Sequence, residues 1–176
     1  GVEAPGEIAA AIGYANYYKL ADLLIEQCKS GMEETDIKPG ILKCASANGG
    51  MNDEMVKKHA AIGITQKETG LPLYVHCEHG GNIAHEQIDV LLENGADAKK
   101  IIIGHCAARP DFEYLESILK EGCCISMDQV FFRNNIEDCA KSLVKACQTG
   151  YTEKILVSND YCIHNDFSPR NLNGLQ

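Results

Sequence analysis

A chain of 176 residues is long enough to bury one core and too short for two comfortable domains. Hydrophobic residues make up 45% of it, a globular composition that excludes a disordered chain. With 25 acidic residues against 16 basic ones the formal charge is -9, which argues against nucleic acid or an anionic membrane surface as partner.

Tyr17 to Met32 places Leu20, Leu23, Leu24 and Cys28 on a helical stripe, with Gly31 near its end. After the Pro39-Gly40 turn, Ile41 to Ser46 reads as a strand. Asn52 or Asp53 caps a helix that runs to Thr69 and is stopped by Gly70 and Pro72. Leu73 to Glu78 is the next strand, and Ile83 to Glu93 a helix with Ile83, Ile88, Leu91 and Leu92 on one face. Ile101 to Cys106 is a strand; Pro110 then opens a helix carrying Phe112, Leu115, Ile118 and Leu119. Gly122 ends that helix and Cys123 to Asp128 follows as a strand. Asn135 caps a helix to Gln148, Gly150 terminates it, and Ile155 to Asp160 is the last strand.

Short, nearly all-apolar strands alternating with amphipathic helices predict an α/β fold with a parallel sheet covered by helices. An open doubly wound sheet and part of a closed (β/α) barrel both satisfy that pattern. Functional side chains at the ends of several different strands favour the barrel. Gly80-Gly81 follows a strand without dinucleotide or mononucleotide spacing. No run approaches the roughly 18 apolar residues of a membrane span. Gly1 to Pro5 shows neither a basic start nor an apolar signal core. Nine cysteines, several in or beside the strands and none in a Cys-x-x-Cys pair, suit free thiols in a reducing cytoplasm.

Four of the five strands carry a polar residue at or near the end: Lys43, His76, His105 and Asp160. A polar group closing a buried apolar run is costly unless it has a partner, so four of them suggest one shared site. Two imidazoles with a carboxylate form a set suited to zinc or a similar divalent ion. Lys43 is the unusual member, because an ammonium cannot ligate a cation and repels one. Its amine is either a nucleophile of lowered pKa for Schiff-base chemistry or the seat of a carbamate formed with carbon dioxide. The plain alternative, a snorkelling lysine, sits poorly with its apolar neighbours. His59, His79 and His85 read as loop or helix-surface residues, and Arg109 as a solvated loop charge.

The segments ILKCAS, LPLYVHCE, IIIGHC and VSNDYC, in that order between Tyr17 and Tyr161, resemble the phosphotriesterase family of the amidohydrolase superfamily, including its lactonase branch. The resemblance implies a (β/α)8 TIM barrel of which residues 1–176 supply roughly strands four to eight as one domain. It implies a carboxylated Lys43 bridging two divalent ions, His76 and His105 as ligands of the more exposed ion, and Asp160 as ligand of the buried ion and proton carrier. It places Tyr161 and His164 by the substrate. The implied cofactors are two divalent ions, zinc first and manganese, cobalt or iron as alternatives, with carbon dioxide for Lys43. The implied activity is hydrolysis of a small ester or lactone, with phosphotriesters at the side, by a hydroxide that bridges the ions. No nucleic acid or membrane partner is expected, and a homodimer stays open.

This sequence departs from the family at several positions. None of the six histidines stands in the His-x-His pair of the family's first strand, so the chain is expected to hold a half-site of Lys43, His76 and His105, with Asp160 short of partners. Ala108 stands where the family often has an acid, and Gln129 follows Asp128 where a histidine or arginine is common. Both changes lie around the ligands, so efficient phosphotriester hydrolysis is not expected. Two other readings remain: a Schiff-base lyase or aldolase using Lys43, and a non-catalytic barrel that binds ligands or partners.

Overall fold

A computed structural model of the chain describes residues 16–32, 35–46, 50–77, 83–130 and 136–160. Helix α1 (Tyr17–Ser30) starts where the Asn16 side chain accepts the Lys19 N–H, and it buries Leu20, Ala21 and Leu24. Strand β1 (Leu42–Ala45) follows, then helix α2 (Asp53–Thr69), capped by Asn52 on the Met55 N–H at 3.0 Å. Asp53 and Glu54 stand in its first turn, where the helix dipole favours negative charge. Gly70, left-handed at φ 67°, ends it. Strand β2 (Leu73–His76), helix α3 (Ile83–Glu93) and strand β3 (Ile101–Ile103) come next. Helix α4 (Phe112–Lys120) is capped by Asp111, which accepts the Tyr114 N–H at 2.9 Å, so Pro110 precedes the cap rather than opening the first turn. Strand β4 (Cys124–Met127), helix α5 (Ile136–Gln148) and strand β5 (Ile155–Val157) complete the series. Asn135, the expected cap of α5, lies outside the described residues.

The five strands form one parallel sheet in the order β1-β2-β3-β4-β5. Sequential order without reversal is the wall of a barrel; a doubly wound sheet reverses direction at a switch point. Burial alternates along β1, β2 and β3. Leu42, Cys44, Leu73, Val75, Ile101, Ile103 and Ile125 join a buried core with Leu24, Ile62, Ile88, Leu91, Leu115 and Ile118 from the helices. Between them stand the half-buried Lys43, Tyr74, His76 and Ile102, and the register pairs Lys43 with Tyr74 and Tyr74 with Ile102. One face of the sheet thus carries the core, and the other carries polar side chains in register.

Strands β3 and β5 stop at Ile103 and Val157, where their apolar runs end, and not at the expected Cys106 and Asp160. The chain leaves the extended conformation before His105 (φ 60°) and Asp160 (φ 48°), which therefore lie in the turns after the strands. Single ladder bonds continue past the strand ends, from Gly104 N–H to the Val75 carbonyl at 2.8 Å and from Ser46 N–H to the His76 carbonyl at 3.3 Å.

Candidate metal centre

At the C-terminal end of the sheet a buried carboxylate organises its neighbours. Asp128 follows β4 and is fully buried. It accepts His105 Nδ1–H at 2.6 Å, the His105 backbone N–H at 3.1 Å, the Ser126 hydroxyl at 2.9 Å and the Tyr74 hydroxyl at 2.5 Å. Burial alone pushes the Asp128 carboxyl up, but the bonds from His105, Tyr74 and Ser126 outweigh it and hold it at about 2. Tyr74 shows the converse, its phenol raised by burial and by the Asp128 bond. Gly104 makes room for this contact: a Cβ there would lie 2.5 Å from the Tyr74 ring.

Because an ionised carboxylate only accepts, His105 carries its proton on Nδ1 and presents Nε2 on the other side of the ring. That Nε2 lies 2.9 Å from Nδ1 of His76, the last residue of β2, and the two rings meet edge to face with centroids 4.3 Å apart. Two bare ring nitrogens repel at this distance, so either a proton or a cation must lie between them. Asp160 stands beside the pair, its Oδ2 3.8 Å from His105 Nδ1, with a side chain 49% exposed. The Gln129 side-chain amide donates to Asp160 Oδ2 at 2.7 Å. The Lys43 amine lies over the Tyr74 ring, 4.5 Å from its centroid.

His105, Asp128 and Asp160 each offer a ligand atom within 4.8 Å of one another. His105 Nδ1, 3.8 Å from Asp160 Oδ2, is already bonded to Asp128. Asp128 itself meets four donors with about four acceptor sites and has none to spare. The donor chemistry better fits an ion between His76 Nδ1 and His105 Nε2. Two nitrogens on one tetrahedral zinc stand about 3.3 Å apart, given Zn–N of about 2.05 Å. The pair is already close to that spacing, with Asp128 in the outer position that orients a ligating imidazole.

Of the residues singled out from sequence, His76, His105 and Asp160 are thus brought to one place, and Lys43 joins them through Tyr74. Tyr161 and His164 lie outside the described residues, as does His79. His59 is not on a helix surface but fully buried, because α2 presents it to α3 instead of to solvent. His85 is half-buried between Glu121 and Ser117, which lies 3.0 Å from its Nε2. Arg109 is exposed, its guanidinium 4.1 Å from the Tyr114 ring centroid. From the sequence, Asp128 is marked only as the residue before Gln129, around the ligands, and Tyr74 and Gly104 have no expected place in the site. Only the alternation that sets Tyr74 on the face of Lys43 and His76 hinted at its position.

A sequence profile of the phosphotriesterase family matches residues 7–175. A phosphotriesterase homology protein of Mycobacterium tuberculosis is 29% identical over 155 residues, covering 87% of this chain and 48% of its own. The aryldialkylphosphatase of Saccharolobus solfataricus is 31% identical over 148 residues, covering 82% of this chain and 46% of its own. The solved structure of the phosphotriesterase from Mycobacterium tuberculosis superimposes with a TM-score of 0.78 at 29% identity, over 86% of this chain and 48% of that one. The chain spans about half the length of the relatives it matches. Among the described residues no helix is long and apolar enough to cross a membrane.

Proposed function

Because the chain belongs to the phosphotriesterase family, we propose that it carries part of the active site of a metal-dependent hydrolase of small esters or lactones, with phosphotriesters as side substrates. The observation that supports this reading most is the 2.9 Å approach of His76 Nδ1 to His105 Nε2, with Asp128 holding the far side of the His105 ring. In this reading His76 and His105 hold one divalent ion, zinc or its neighbours manganese, cobalt and iron. Lys43, carboxylated by carbon dioxide, would serve both ions, and Asp160 would reach the second, whose remaining ligands are expected on a strand with His-x-His. When bound, divalent ions supply a nucleophile from water near neutral pH and polarise the ester oxygen.

The chain's own residues do the rest. Carboxylation of Lys43 turns a cation that repels the ions into an anion that attracts them, at the expense of its contact with the Tyr74 ring. Asp160 is half-exposed, so it can take a proton and release it, and the Gln129 amide keeps one of its oxygens aimed. Gln129 cannot itself relay a proton. Asp160 therefore passes its proton straight to the leaving group, which suits the alkoxide of an ester or lactone. A Schiff base at Lys43 would leave His76, His105 and Asp160 without a task.

Elemental analysis of the full-length protein tests the reading: two divalent ions per chain are expected, and fewer than one overturns it. Asp160→Asn is expected to lower kcat/KM for lactone opening by about 10²–10⁴-fold, the usual worth of a positioned proton carrier.

A further inference from the structure

Behind β2, on the side away from the paired imidazoles, lies a buried polar chain with no evident packing role. His59 of α2 and Gln87 of α3 are both fully buried. His59 Nδ1–H donates to the Met55 carbonyl at 2.8 Å, so its Nε2 is an acceptor. The Gln87 side-chain amide donates to that Nε2 at 3.1 Å and to the backbone carbonyl of His76, also at 3.1 Å. A flipped amide would set its oxygen against two acceptors, so chemistry allows only this orientation. The same His76 carbonyl accepts Ser46 N–H from the end of β1. Its two lone pairs are thereby both engaged, one by the sheet and one by Gln87.

Gln87 Oε1 is buried and has no hydrogen-bond partner among the described residues. A buried acceptor without a donor is a cost that an apolar side chain of the same size would not carry. The two bonds from the amide nitrogen must offset it, and one of them ends on the peptide of His76.

We infer that Gln87, oriented by His59, is a positioning residue for His76: it fixes the peptide at which β2 ends, and with it the direction in which His76 Nδ1 faces His105. This rests on the reading of His76 as a metal ligand. A ligating ring has to be held within about 0.5 Å and 10–20° of its working geometry. Fixing the carbonyl fixes the last backbone torsion of the strand and so the Cα–Cβ direction. His76 is thus held through its backbone, whereas Asp128 holds the His105 ring directly.

The test uses full-length Gln87→Met, which keeps size and removes both donors. Divalent-ion affinity is read by competition with a chromogenic chelator, the cobalt(II) absorption spectrum reports ligand geometry, and ¹⁵N imidazole resonances of the metal-free protein report the His76 ring. Expected are a dissociation constant raised about 10–100-fold, an altered cobalt spectrum and a displaced His76 resonance. His59→Leu, which removes only the orienting partner, should move the same readouts by less, and it serves if Gln87→Met does not fold. Ile88→Val on the same helix, also fully buried, should lower the melting temperature and leave all three readouts in place. A Gln87→Met protein that loses stability but keeps its His76 resonance and its affinity overturns the inference. Should the wild-type protein bind no divalent ion, the metal reading fails, and the resonance alone then decides the positioning role.

Discussion

With four donors on one buried carboxylate, Asp128 stays ionised far below neutral pH, and its charge keeps the proton of His105 on Nδ1. Asp128→Asn preserves volume but not this preference, since an amide offers one acceptor atom where the carboxylate offers two. The variant is expected to fold with a stability loss of about 1–3 kcal/mol and to bind divalent ions about 10–100-fold more weakly. Chelator competition on the folded variant checks this, and unchanged affinity would remove Asp128 from the site. His59 makes a second prediction. Its imidazole is pushed below the ordinary 6.5, chiefly by burial and further by Lys58, against the bond to the Met55 carbonyl. The unfolded chain therefore takes up a proton near 6.5 that the folded chain refuses, so the His59 contribution is complete above 6.5 and is lost as pH falls from there toward the lowered folded value. Urea midpoints measured across that window should fall with acid, and the slope should shrink in His59→Leu. Neither residue's contacts were legible in the sequence. Asp128 ends an apolar run as many aspartates do, and its partners come from β2, β4 and the turn after β3. His59 interrupts a helix whose apolar stripe is weak, and only the neighbouring helix reveals which side it faces.

The turns after β3, β4 and β5 share a device: His105, Gln129 and Asp160 all have left-handed backbones, with φ of 60°, 62° and 48°. Aspartate and histidine tolerate this region better than most residues; glutamine has less reason to be there. Strain gathered at three adjacent strand ends keeps the polar groups clear of the sheet and pointed at one another. Gln129→Gly should therefore leave folding stability within about 1 kcal/mol of wild type, whereas Gln129→Val should cost about 1–2 kcal/mol because a branched side chain fits this backbone poorly. Equal losses for the two in urea denaturation would mean that the turn is not strained. The existence of each strand was readable from its apolar run, yet its end was not. The expected strands ran on past Ile103 and Val157 to the polar residues beyond, and the left-handed torsions of His105 and Asp160 are recorded by no periodicity. The start of α4 was misplaced for a related reason: Pro110 is a common first-turn residue, but Asp111 has the side-chain oxygen that a cap requires.

Across the whole molecule, five strands in sequential order place each βα unit against the one before it, which is why simple alternation of apolar runs and helical stripes foretold the topology. The site was half legible on the same grounds. His76 and His105 declared themselves at the ends of neighbouring strands, while the residues that aim them came from contacts across the sheet and behind it. Strand β5 has another consequence. It lies at the edge of the described sheet and reads Ile155-Leu156-Val157, with Leu156 42% and Val157 66% exposed. An uncharged, β-branched edge is a template for pairing with other chains. The 176-residue polypeptide made by itself should therefore aggregate as its concentration rises, to an extent set by this strand rather than by its net charge of -9. Leu156→Lys should raise the solubility limit severalfold in light-scattering titrations while the far-ultraviolet spectrum stays the same; an unchanged limit would place the stickiness elsewhere. The strand that brings Asp160 to the site would then also govern how the polypeptide must be handled in solution.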